Sequence, residues 1–337
     1  MSFISLHTKN NIKVYYYPSP SKGGYSNPYS YHYKESLTKK YQLLNSENKS
    51  TKILGVDLLI NSFKADLFII NWLESICFLR LGILQFILAE LSLWIIKKRR
   101  KKIVWMFHNI HPHQGDNKLS RKIQHQLFQR ANLIISHSKE ATQYAQAQTC
   151  TRVLFYPHPI QNITTNNIES NIAPFDVFIW GSILPYKGIV EFISLKQIQD
   201  LQSIKIHILG NCKDKDLATK ITSYCNQHII FENRKASFDE IKAYIQKSRY
   251  VLFPYTGNCV SSSGALIDTL ILGGTPIGPN VGAFKDLSEE ELCLTYSNYD
   301  ELISLITAHK SINEVKKRAF INNNSWDNLI QTIYDNL

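Results

Sequence analysis

The chain has 337 residues, 44% of them hydrophobic, and a net charge of +11. That length exceeds what one core usually sustains, so two domains of about 150 residues are expected; the 5 Trp, 18 Tyr and 16 Phe exclude a disordered chain, which lacks the groups that offset ordering entropy. Six cysteines without a CxxC pair exclude a disulfide framework, and no export signal opens the sequence, so a reducing, cytoplasmic setting is expected.

Taken in chain order, short β-branched and aromatic runs alternate with helical patterns. In the first half, strands are expected at Lys13–Tyr17, Ile53–Leu54, Leu67–Ile70, Ile103–Phe107, Leu133–Ser136 and Arg152–Phe155, and helices at Tyr31–Leu44, Glu74–Ile96, Ser120–Arg130 and Lys139–Ala147. The apolar stretch from Leu73 to Ile96 contains Glu74, Arg80, Gln85 and Glu90, interruptions that a lipid-exposed span rarely tolerates. It runs straight into Lys97-Lys98-Arg99-Arg100-Lys101-Lys102. Two readings stand: a buried helix with a solvated basic end, or an interfacial anchor facing an anionic membrane surface. The second is also the reason the positive charge is not assigned to nucleic acid.

Pro157, Pro159 and the polar segment Gln161–Asn171 mark a hinge. The rhythm then restarts, with strands expected at Val177–Trp180, Lys205–Leu209, Ile229–Phe231, Tyr250–Phe253 and Thr275–Ile277, and helices at Gly188–Lys196, Lys213–Cys225, Phe238–Lys247, Ser263–Leu272 and Asp300–Ala308. This is α/β order, two Rossmann-like doubly wound domains (residues 1–160 and 172–310) with a ligand cleft between them, and residues 311–337, where Trp326, Leu329, Ile330 and Ile333 recur at helical spacing, packing back on the first domain.

Two loops carry phosphate chemistry. Tyr255 leads into Ser261-Ser262-Ser263-Gly264, small residues opening a helix whose free N–H groups and positive end suit a diphosphate; Asp268, one turn on, can accept from ribose hydroxyls. Gly181-Ser182 turns out of a strand towards Lys187 at the next helix start, which brings a cation to the same phosphates.

These segments, with Leu272 to Gly278 and Gly282 to Leu287, resemble the donor-binding half of GT-B glycosyltransferases, particularly the large family 4. The first half is similar too: Lys13–Tyr17 with Gly23 and Gly24 resembles the opening strand and glycine loop, and Trp105 to His113 the strand with its His-Asn segment. The resemblance implies sugar transfer from a UDP- or GDP-sugar to a glycan or lipid-linked acceptor of surface polysaccharide biosynthesis, without an essential metal or other cofactor. Two departures stand out. Ser182 replaces the family's usual arginine, and its pair of glutamates is reduced to Val260 and Asp268, which leaves donor and stereochemistry open. Candidate groups for the sugar or acceptor are His108, with Glu74 and Asp116 as alternative bases. Two other readings remain: a non-catalytic sugar-nucleotide binder, and a zinc hydrolase built on His108, His111 and His113.

Overall fold

The computed structural model describes residues 10–19, 27–46, 51, 53–108, 110, 117–161, 163–166, 172–200, 204–256 and 263–337. Chain contacts divide it into two units, Met1–Pro159 with Ser325–Leu337, and Ile160–Asn324. No helix among the described residues is long and apolar enough to cross a membrane.

The first unit runs β1 (Asn10–Tyr17), α1 (Pro28–Lys40), β2 (Tyr41–Leu43), α2 (Leu54–Ser62), β3 (Leu67–Asn71), a 3-10 turn (Leu73–Phe78), α3 (Gly82–Lys98), β4 (Lys102–Phe107), α4 (Lys118–Arg130), β5 (Leu133–Ser136), α5 (Lys139–Gln148) and β6 (Val153–Phe155). The strands form one parallel sheet in the order β2-β1-β3-β4-β5-β6. Period-two alternation splits the central strands between two cores, as a sheet covered on both faces requires: Tyr15, Tyr17, Trp105 and Phe107 face one, Val14, Tyr16, Val104 and Met106 the other.

The second unit runs β7 (Phe175–Trp180), a 3-10 turn (Pro185–Lys187), α6 (Ile189–Ile193), α7 (Lys196–Asp200), β8 (Ile206–Leu209), α8 (Lys215–Thr222), β9 (Ile229–Glu232), α9 (Phe238–Lys247), β10 (Ser248–Leu252), α10 (Gly264–Ile271), β11 (Pro276–Pro279), α11 (Gly282–Glu289), β12 (Leu294–Tyr296), α12 (Tyr299–Thr307) and α13 (Glu314–Asn323). Its parallel sheet is ordered β12-β11-β10-β7-β8-β9. The segment 311–337 is divided between the units: α13 belongs to the second, whereas α14 (Trp326–Asp335) returns to the first. There Trp326, Leu329, Ile330 and Ile333 cover Val14, Tyr16 and Tyr33, and Lys39 pairs with Asp327 at 2.8 Å.

Three local expectations are corrected. The strand at Ile53–Leu54 is instead the start of α2, with Ile53 as its N-cap residue. The second strand is β2, cut from the end of the expected helix Tyr31–Leu44 because Tyr41 and Leu43 are buried on one side while Gln42 is exposed, and the three residues pair with β1. The helix Glu74–Ile96 is interrupted: the backbone is left-handed at Trp72 and at Leu81 (φ 51° and 59°), so the 3-10 turn precedes a fresh start at Gly82. Asp214 caps α8, accepting from the N–H groups of Asp216 and Leu217.

Candidate functional site

In each unit the chain leaves its first strand, builds one side of the sheet and then returns to build the other. This creates a switch point between β7 and β10 in the second unit and between β1 and β3 in the first. Loops diverge there beyond the carboxyl ends of the strands and leave room for ligands.

At the β7/β10 switch point, Gly181 turns with φ +106°, and a Cβ built on it would lie 3.4 Å from Lys187 Nζ. Lys187 ends the 3-10 turn, and Gly188 follows at φ +63°, where a Cβ would strike the Pro254 carbonyl oxygen at 2.0 Å; only glycine can occupy that position. The two loops are stitched together by the Thr256 N–H, which donates to the Tyr186 carbonyl at 3.1 Å. Lys187 is therefore held down, 8% exposed, with Nζ 5.5 Å from the centre of the Tyr255 ring. Burial pushes its amine down to about 8, and no neighbouring charge contributes. Among the described residues it has no carboxylate partner, an unusual state for a buried cation.

Tyr255 hydrogen-bonds Ser263, a contact that opposes the strong upward push of burial on its phenol. Ser263 caps α10, its Oγ accepting from the Leu266 N–H at 3.3 Å. The first-turn N–H groups at Gly264 and Ala265 have no acceptor within the helix, and they carry its positive end. Asp268, one turn along, is half-buried and accepts from Gln161 Nε2 at 2.6 Å. Burial raises its carboxyl to about 7, against the lowering effect of Gln161. The structure thus brings together Gly181, Lys187, Tyr255, Ser263 and Gly264, with Asp268 on the same helix. Ser182 is exposed on the turn. Ser261 and Ser262 lie outside the described residues.

In the first unit, His108 follows β4 and is buried. Asn71, the last residue of β3, donates through Nδ2 to the Tyr17 carbonyl at 3.1 Å, so its Oδ1 accepts, and the 2.9 Å contact makes His108 Nε2 the donor. A neutral ring in this orientation carries its acceptor at Nδ1. Trp72 stacks on this imidazole at 4.3 Å with an interplanar angle of 17°, and Tyr29 meets it edge-on at 4.9 Å. His137, after β5, donates from Nδ1 to the Tyr156 carbonyl and accepts the Tyr29 hydroxyl at Nε2, each at 2.7 Å. Burial first, then His158, push it down to about 3, so it is a neutral imidazole. Sequence reasoning missed Tyr29, Asn71, Trp72, His137 and, in the second unit, Gln161. His137 and Asn71 were within reach of it, because both stand at strand carboxyl ends.

Glu74 lies in the 3-10 turn, 2% exposed, and its Oε2 has no hydrogen-bond partner among the described residues. Burial raises its carboxyl to about 7. It adjoins Tyr17, whose ionisation its charge further disfavours, and no hydrogen bond links it to His108. Gly23, Gly24, His111, His113 and Asp116 lie outside the described residues, among which no cluster of His, Cys, Asp or Glu is arranged to hold a metal.

Two parallel six-stranded Rossmann-like sheets, each with its loops gathered at a switch point, define the GT-B fold. No family model matches the sequence, and no curated protein matches it. Solved structures do match in fold. HepE of Anabaena, solved with UDP-glucose, superposes with a TM-score of 0.63 at 14% identity, covering 97% of this chain and 100% of that one. Sucrose-phosphate synthase of Thermosynechococcus elongatus gives 0.68 at 10% identity, covering 97% and 98%, and the lipopolysaccharide outer core galactosyltransferase WaaB, in its apo form, gives 0.60 at 13%, covering 97% and 100%.

Proposed function

We propose that the chain is a glycosyltransferase, similar to family 4, that moves a sugar from a UDP- or GDP-sugar to a glycan or lipid-linked acceptor of surface polysaccharide biosynthesis on the cytoplasmic face of a membrane, with no essential metal. One observation carries the proposal: Lys187 is a buried cation without a carboxylate among the described residues, set at a switch point beside the start of α10. A diphosphate would supply the missing anion, bonded also by the amides of Gly264 and Ala265 and by the serines from Ser261 to Ser263. Asp268 would exchange Gln161 for the ribose hydroxyls. The donors held by fold neighbours support this choice, since HepE was solved with UDP-glucose.

Departure of the diphosphate leaves negative charge on its terminal phosphate, and the positions of Lys187 and the helix start suit them to stabilise it. His108, fixed between Trp72 and Tyr29 with its acceptor nitrogen at Nδ1, is assigned to the sugar or acceptor hydroxyl. Glu74 and Asp116 are held as alternative bases, and Gly23 and Gly24 as the loop approaching the sugar.

A thermal-shift panel of UDP, GDP and their sugars tests the reading, because a ligand that binds only the folded form raises the unfolding temperature. UDP or GDP, with its sugars, should raise it, and slow donor hydrolysis should accompany binding. No response to any of them would defeat the proposal, and binding without turnover would leave a sugar-nucleotide-binding protein.

A further inference from the structure

The solvent-facing side of α3 reverses the usual order of an amphipathic helix. Its exposed residues are Ile83, Leu84, Ile87, Leu91 and Trp94, followed only at the end by Lys97 and Lys98, whereas Gln85 and Ser92 are buried. At 100° per residue these five apolar side chains fall within one quadrant or little more of the helix surface. The buried polar groups are satisfied locally: Gln85 accepts from the Gly55 N–H at 3.1 Å and donates to the Arg80 carbonyl at 2.8 Å, and Ser92 donates to the Leu88 carbonyl. The outward face is therefore not a core face turned out by a shift in register. Ile83 is 71% exposed and Trp94 51%. Ile60 of the adjoining α2, Phe63 just after it, and Leu79 and Leu81 before α3, are exposed as well. Contiguous apolar surface of this kind marks a binding site.

The flanking charge identifies what binds. Lys97, Lys98, Arg99 and Arg100 are exposed at the end of this face, and Lys98 Nζ lies 4.9 Å from the centre of the Trp94 ring. Glu90, the acidic residue of α3, falls at the edge of this face on the same helical wheel, but its side chain is only 22% exposed and lies 3.8 Å from Lys122, which offsets its charge. We infer that this α3 face is a monotopic docking surface for an anionic lipid bilayer, with Ile83, Leu84, Ile87, Leu91 and Trp94 entering the acyl boundary and Lys97, Lys98 and Arg100 lying among anionic headgroups. Nucleic acid fits poorly, because phosphate contacts need a charged surface and gain nothing from five apolar side chains. A second copy of the chain, packed face to face, would bring the same positive charge against this surface. The inference deepens the lipid-linked arm of the proposed function, but docking itself does not depend on sugar transfer.

Flotation of the full chain with vesicles tests it, using equal parts phosphatidylglycerol and phosphatidylcholine, or phosphatidylcholine alone. The chain should float with the anionic vesicles and far less with the neutral ones. I83S/I87S/L91S should weaken binding at least about 100-fold, given the apolar area each side chain withdraws from water, and K97Q/K98Q/R100Q roughly 100-fold, at about fivefold per charge. Both variants should keep the wild-type thermal response to UDP. Absence of flotation, equal flotation of the serine variant, or a wild-type dimer in light scattering that the serine substitutions dissociate would overturn the inference. Vesicle binding without any response to nucleotides would leave docking intact and remove sugar transfer.

Discussion

Replacing Lys187 by methionine keeps the length and volume of the side chain and removes only its charge, so two opposite effects can be separated. Burial displaces the amine from 10.5 to about 8, which corresponds to roughly 3 kcal/mol of preference for the neutral form in the folded chain. The sign follows from linkage. At pH 7 the amine is protonated in both states and folding bears the full cost; as pH rises from about 8 to 10.5 the folded form loses its proton first, and stability rises. K187M should therefore be more stable than wild type at pH 7 by up to roughly 3 kcal/mol and should lack the rise in stability between those two values. Its affinity for UDP should move the other way. A charge-assisted hydrogen bond contributes about 1.5–3 kcal/mol, so the dissociation constant should increase roughly 10- to 150-fold. In the wild type, binding above pH 8 must reprotonate Lys187, and calorimetry in buffers of different ionisation enthalpy should record proton uptake there but not in K187M. Unchanged UDP affinity in K187M, or a stability profile that still rises from pH 8, would refute the reasoning.

Asp268 should set the acid limb of the same profile. Its carboxyl, raised to about 7 by burial, must ionise before it can accept from two ribose hydroxyls, so UDP affinity should fall below pH 7, and D268N should flatten that limb at a lower plateau in calorimetric titrations across pH. Because the bond from Gln161 opposes the upward push of burial on this carboxyl, Q161A should move the acid limb to higher pH. Gly188→Ala places a methyl 2.0 Å from the Pro254 carbonyl oxygen at φ +63°, and thermal unfolding should show a loss of at least about 1–2 kcal/mol from the left-handed backbone alone. His108→Ala should reduce kcat at least about 100-fold, the lower end of the usual range for a proton-transferring group, while UDP affinity stays within about twofold of wild type; equal losses in both would remove its assigned role.

What could be read from the sequence was whatever is local. The strands carry uninterrupted runs of large apolar residues at Val177–Trp180 and at Leu133, Ile134 and Ile135, and the Gly181 to Gly188 turn has glycines at the two positions where the structure has positive φ. β2 was not legible, because three residues hold barely one alternation period and only pairing with β1 makes a strand of them. The neutral state of His137 and the tautomer of His108 depend on carbonyl and amide partners 19 to 54 positions apart along the chain. The orientation of α3 was hidden for a different reason: apolar residues occur on all its faces, so spacing cannot tell the inward from the outward side, and the buried Gln85 reads in sequence as a surface residue.

The account rests on Lys187 and the start of α10 gripping a diphosphate, and a crystal structure of the chain with UDP tests this directly. The terminal phosphate should lie within about 3 Å of Lys187 Nζ and of the amide nitrogens at Gly264 and Ala265, with the ribose on Asp268 and Gln161 displaced. UDP bound elsewhere, or Lys187 left without phosphate while Gln161 still holds Asp268, would contradict it.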